Sequence, residues 1–251
     1  MKLLALAFSL LLAPVAGLVA WQAGSFSQPA QFWQALPFAW PALAIGSWIL
    51  LAWLLRIPLA GRPGVVPWTA VSKFFHWVMA LSILGTTALM YYMVNMGDLA
   101  TDTVLRAEYS RLLRLHKSLG LLVLFLVVLR FAWNRIHPRP PLPAGISPAQ
   151  RSSALGAHHA LYALMLCVPL VGWTASMTYG ARTSFFGLFE MPVWLPKSEK
   201  WVAILQPAHI YMAWGLLVLV GIHLAAALWH HFGKRDATLV QMLPGKPRRG
   251  R

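Results

Sequence analysis

The sequence predicts an all-helical membrane protein: a four-helix transmembrane bundle preceded by one or two further N-terminal transmembrane helices. Composition and the length of the apolar runs predict it. Of 251 residues, 59% are hydrophobic and only 11% charged, and mean hydropathy is +0.62. A soluble domain covers its exterior with charged residues and cannot hide that much apolar surface. The apolar residues also cluster into runs of about 18 or more, the length that crosses a bilayer.

Six such segments can be read, at 3–22, 38–57, 71–94, 111–133, 156–177 and 206–230. In hydrocarbon each must satisfy its own backbone polar groups, so each is expected to be a helix. The connectors at 22–34, 61–67, 96–110, 137–153 and 179–200 are hydrophilic or rich in Pro and Gly. Segment one has two readings, a signal peptide or a permanent span forming a hairpin with segment two. Leu18 and Trp21 are bulky where a cleavage site needs small residues, which favours the span. The expected organisation is an extension at 1–67, a four-helix domain at 68–245 and a basic tail at 246–251.

The net charge of +15 would suggest nucleic acid in a soluble protein. Here the Lys and Arg residues lie between apolar runs and at the C-terminus, where the positive-inside rule expects them, so no nucleic-acid partner is expected. If the connector after segment two faces the cytoplasm, thirteen basic residues fall inside and seven outside, before counting Lys2. That bias predicts a multi-pass protein with a cytoplasmic C-terminus and membrane lipid as its surroundings. The single cysteine, Cys167, excludes an intramolecular disulfide, a CxxCH haem attachment and a cysteine-rich metal or iron–sulfur site.

Nine histidines remain, most of them in or at the ends of the apolar segments. A single one can be an interfacial side chain resting on headgroups or carbonyls. Four of them form a pattern. His76 and His116 lie near the starts of the third and fourth segments; His209 and His223 share the last, fourteen residues apart. At about 1.5 Å per residue they stand roughly 21 Å apart along the axis, and fourteen steps of about 100° return them to nearly one face. Because successive spans alternate in direction, His76 falls at the inner level with His223, and His116 at the outer level with His209. Two bis-histidine pairs in a four-helix bundle suit two six-coordinate b-type haems. Zinc is the weaker alternative, since no carboxylate or thiolate accompanies either pair.

Several motifs then become familiar: SKFFHWVMAL at 72–81, LHKSLG at 115–120, the HPRPP that ends 130–141, and HHALYALMLCVPLVG at 158–172. FGL at 186–188 and the closing GIHLAAALWHHFGKRDATLVQMLP follow. Together, over about 68–245, they resemble the bacterial cytochrome b561 family and its superoxide oxidase type, a superoxide:ubiquinone oxidoreductase. The resemblance implies two haem b groups on His76, His116, His209 and His223, ubiquinone as substrate or bound cofactor, and the bacterial inner membrane. It also makes His158 and His230 candidate contacts for the quinone headgroup. The first 67 residues have no counterpart in short family members, and the loop after Gly172 carries one extra residue.

The expected activity is electron transfer from superoxide at the outer side to ubiquinone near the inner haem. Arg111, Arg114, Lys117, Lys197 and Lys200 could steer the anion; anchoring of haem propionates or lipid headgroups is the competing reading for each. Arg130 and Arg135 are candidates for the inner-haem propionates. The alternative function is a membrane-anchor cytochrome b subunit linking a partner dehydrogenase or hydrogenase to the quinone pool. A haem-free structural protein is the third reading, and the ligand geometry opposes it.

Overall fold

A computed structural model describes residues 66–97, 99, 101–137, 140 and 146–243. The expected segments at 3–22 and 38–57, and the basic tail at 246–251, lie outside the described residues. Four long helices make up the rest: α1 (Ala70–Val94), α2 (Thr103–Ile136), α3 (Pro148–Thr178) and α4 (Glu199–Trp229). Each is long and apolar enough to cross a membrane.

The helices begin where side chains satisfy the first free amide groups. Thr69 accepts from the Ser72 N–H at the start of α1, and Asp102 accepts from Val104 and Leu105 at the start of α2. Ser147 and Gln150 form a capping box before α3, with Pro148 in its first turn, and Ser198 caps α4. These caps explain why α2, α3 and α4 each start seven or eight residues before the apolar runs seen in the sequence. The apolar run measures only the stretch that matches hydrocarbon, whereas the cap fixes where the helix starts.

α1 packs on α2, α2 on α3 and α3 on α4. Successive helices alternate in direction, so the starts of α1 and α3 lie with the end of α4 at what we call the tail end. The opposite end carries a two-stranded hairpin, β1 (Ser184–Phe185) and β2 (Phe189–Glu190), within the connector at 179–200. Its turn places Phe186 and Gly187 at φ values of 50° and 75°. Gly187 adopts this freely; Phe186 does so at a steric cost. The hairpin is held by Ser118 of α2, which donates to the Ser184 carbonyl (3.1 Å) and accepts from the Phe186 N–H (3.0 Å).

Midway along the bundle Met79, Ile83, Val123, Leu126, Val127, Leu161, Met165, Val168 and Leu216 form one apolar core drawn from all four helices. α4 also exposes several large apolar residues, including Tyr211 at 76% and Trp214 at 63%. Lipid is the solvent that tolerates such a face.

Beyond Trp229 the chain turns through a π-helical segment, His230–Lys234, and Arg235 takes a left-handed conformation before a short helix, α5 (Thr238–Met242). This segment folds back as a strap across the tail end of α1. The Trp68 N–H donates to the Gln241 carbonyl (3.2 Å) and Trp77 Nε1–H to the Met242 carbonyl (3.0 Å). Lys234 Nζ reaches Gln150 Oε1 on α3 at 2.8 Å. Asp236 holds the turn together, pairing with His230 Nδ1 and accepting from the Thr238 N–H.

Burial by itself would raise the Asp236 carboxyl. The hydrogen bonds from His230 and Thr238, with the His230 charge, outweigh burial and hold it below its usual range. A group depressed on folding contributes stability above its unfolded value and loses it as pH falls through the folded value. Hydrogen–deuterium exchange at 236–243, corrected for its intrinsic pH dependence, is therefore expected to accelerate below about pH 4. Asp236→Asn should give fast exchange already at neutral pH. Equal protection from neutral pH to pH 3 would show that the carboxylate does not hold the strap.

Candidate cofactor site

The two histidines of α4 each face a ring from another helix. His76 of α1 and His223 stand 6.2 Å apart between ring centres, at an interplanar angle of 65°. His116 of α2 and His209 stand 6.3 Å apart, at 83°. Metal–imidazole bonds are about 2 Å, and a ring nitrogen lies about 1 Å from its ring centre, so two rings on opposite sides of one ion stand roughly 6 Å apart. Both pairs have that spacing, one at the tail end and one at the hairpin end. Among the described residues no group of three or more His, Cys, Asp or Glu side chains could hold a metal ion. Two trans imidazoles alone suit an ion that arrives with its own equatorial ligands, as iron does in a haem.

At the hairpin end both rings are already oriented. His209 Nδ1–H donates to the Val168 carbonyl (2.9 Å) and His116 Nδ1–H to the Thr86 carbonyl (3.3 Å). A proton held on Nδ1 leaves the Nε2 lone pair free for a metal. The close approach of His209 to α3 depends on Gly172: a Cβ there would fall 2.7 Å from Cε1 and 2.8 Å from Nδ1 of the ring. Neither carbonyl partner could be read from spacing. Gly172 stood in the VPLVG motif, but its reason is a tertiary contact.

The tail-end pair is set differently. Arg130 Nη1 lies 3.3 Å from His76 Nδ1. A guanidinium only donates, so Nδ1 accepts and a neutral ring carries its proton on Nε2. Ligation through Nε2 would require that proton on Nδ1 and Arg130 turned aside. Arg130 has a reason to turn: its Nε is buried with no hydrogen-bond partner, and its guanidinium lies 5.8 Å over the Tyr162 ring. A buried guanidinium with an orphaned donor fits an anionic oxygen brought by the cofactor.

His158 stands 5.5 Å from His223 between ring centres, edge to face, so it belongs to the tail-end cluster. His230 instead turns to Asp236 and Thr238 within the strap. Arg135 is exposed and packs over Phe131 at 4.9 Å.

The five expected steering cations divide. Arg111 is clamped by Glu108 through two hydrogen bonds of 2.7 and 2.9 Å. Lys117 donates to Ser176 Oγ at 2.7 Å, and Ser176 in turn donates to the Ala181 carbonyl. Arg114, Lys197 and Lys200 are exposed at the hairpin end. A cavity of about 520 Å³ there is lined by Arg182, Glu190 and Lys197, among others, and by none of the four paired histidines.

Residues 67–245 match the model of the prokaryotic cytochrome b561 family. Cytochrome b561 homolog 2 of Escherichia coli (strain K12) is 34% identical over 174 residues, covering 69% of this chain and 89% of that protein. The probable superoxide oxidase CybB of Yersinia pestis is 30% identical over 132 residues, 53% of this chain and 74% of that protein. Cytochrome b561 homolog 1 of the same E. coli strain is 28% identical over 174 residues, covering 68% and 93%. A family match across most of the chain, together with four membrane-length helices, makes this protein a member of the prokaryotic cytochrome b561 family of multi-pass, haem-binding electron-transfer proteins.

Proposed function

We propose that the chain binds two haems, on His76 with His223 and on His116 with His209, and uses them to move electrons from superoxide to ubiquinone. The observation that carries this is the pair of histidine rings at metal-bridging distance at each end of the bundle. The positive-inside bias puts the tail end, with Lys234 and Arg235, in the cytoplasm and the hairpin end outside. The kinship with a probable superoxide oxidase suggests the donor.

The bound haems supply two one-electron carriers at opposite membrane levels. Everything else is the work of the chain. Val168 and Thr86 carbonyls hold the outer imidazoles in the ligating tautomer. The apolar core between the levels excludes water and competing ligands. Outside, Arg114, Lys197 and Lys200 give a positive rim that concentrates a small anion. Inside, His158 beside His223 offers a hydrogen bond to a quinone carbonyl, and His230 is the second candidate. Two superoxide anions each give up one electron and leave as dioxygen; one ubiquinone takes up two electrons and two protons.

Purified chain is expected to show a b-type reduced-minus-oxidised spectrum with two haem equivalents, and superoxide should reduce it unless ubiquinone drains the electrons. Absence of the spectrum defeats the haem assignment. Haem that superoxide does not reduce would favour the anchor-subunit role, with a dehydrogenase or hydrogenase as donor. His116→Ala or His209→Ala should lower the haem content from two equivalents to one per chain. Gly172→Val should do the same, because its side chain displaces the His209 ring. Two haems retained in Gly172→Val would show that His209 is not a ligand in this orientation.

A further inference from the structure

The hairpin turn presents apolar side chains outward. Leu188 is 77% exposed, and Phe186 and Phe189 are exposed beside it. In the segment 182–191 the only charged residues are Arg182 and Glu190, and they pair with each other at 2.8 Å. Three bare apolar groups side by side are unfavourable in water.

The depth of the hairpin places them elsewhere. Phe185 packs on Phe125 of α2, ring centres 5.3 Å apart. The same cluster holds Leu121 and Leu124 of α2, Leu170 and Trp173 of α3, and Met191. Phe125 lies eight residues beyond Lys117, and α2 carries no charge between Lys117 and Arg130. Leu170 lies eight residues before Thr178, where α3 ends, and α3 carries no Lys, Arg, Asp or Glu after Arg151. At about 1.5 Å per residue each interval is roughly 12 Å. After leaving α3 the chain therefore turns back and lies against the charge-free lengths of both helices. His116 precedes Ser118 by two residues, so the hairpin shares the level of the His116/His209 pair.

The backbone of the turn is closed within the chain. Phe186 N–H donates to Ser118 Oγ and Gly187 N–H to Ser184 Oγ, both at 3.0 Å. Leu188 N–H donates to the Phe185 carbonyl (2.9 Å) and Met191 N–H to the Thr183 carbonyl (2.8 Å). The Ser184 carbonyl accepts the Ser118 hydroxyl. A turn in water can leave such groups to solvent, whereas in apolar surroundings each needs a partner from the protein.

We propose that the hairpin is a lipid-binding element, seated at the headgroup–acyl boundary with Phe186, Leu188 and Phe189 projecting into the acyl chains of that leaflet. Depth, absence of net charge and a self-satisfied turn together select lipid over water. A protein partner docking on the same patch is the competing occupant. The inference needs only the membrane placement of α2 and α3, and is independent of the electron donor and acceptor.

The test uses full-length protein with its bound cofactors in phospholipid nanodiscs, where both faces are open to water. A phospholipid with a diazirine near the top of one acyl chain is photolysed in the disc, and the adducts are mapped by mass spectrometry. Adducts are expected on 186–189. In a Cys167→Ser background, Leu188→Cys should react with a charged maleimide at least about tenfold more slowly than Val104→Cys. A thiol in apolar surroundings has a raised pKa, and each unit removes about nine-tenths of the reactive thiolate. Val104 is also exposed but stands in the first turn of α2, among its charged residues. Equal maleimide rates at the two positions, or no lipid adduct on 186–189, overturns the proposal. Protection from both reagents overturns it as well, and assigns the patch to a protein partner.

Discussion

One helix, α4, presents an imidazole to each end of the bundle, and the other elements are arranged around that fact. α4 packs along α3, while its histidines reach across to α1 at one level and α2 at the other. The fourteen-residue interval lets a single rigid helix serve both levels, because fourteen steps nearly complete whole turns. α3 carries none of the four paired histidines. It supplies the Val168 carbonyl that orients His209 and, at Gly172, the gap that admits the ring.

The two levels differ in what surrounds their rings. Neutral backbone carbonyls hold the hairpin-end imidazoles. At the tail end a guanidinium approaches His76 and a second imidazole, His158, abuts His223.

Each end is closed by a small device, a hairpin at one and the strap at the other, fixed through hydrogen bonds rather than apolar packing alone. Ser118 ties the hairpin to α2 despite the cost at Phe186. Trp68 and Trp77 fasten the strap at the start of α1, and Asp236 holds the strap's own turn together. Both devices sit where the chain leaves hydrocarbon and water competes for backbone groups, so local hydrogen bonding decides their shape.

The sequence by itself determined the membrane class, the four described helices and the levels of their histidines. The span at 71–94 agrees with α1 to within one residue, because hydrocarbon imposes a helix on any long apolar run. The ring pairs stand where helix periodicity and alternating direction put them, since both rules act along the chain. Only the tertiary structure decided which nitrogen of each ring is engaged, that Arg130 faces His76 and that His230 turns to Asp236. Those outcomes depend on side chains from different helices meeting in space. Two contacting residues such as His209 and Val168, forty-one positions apart, leave no local pattern from which their hydrogen bond could be read.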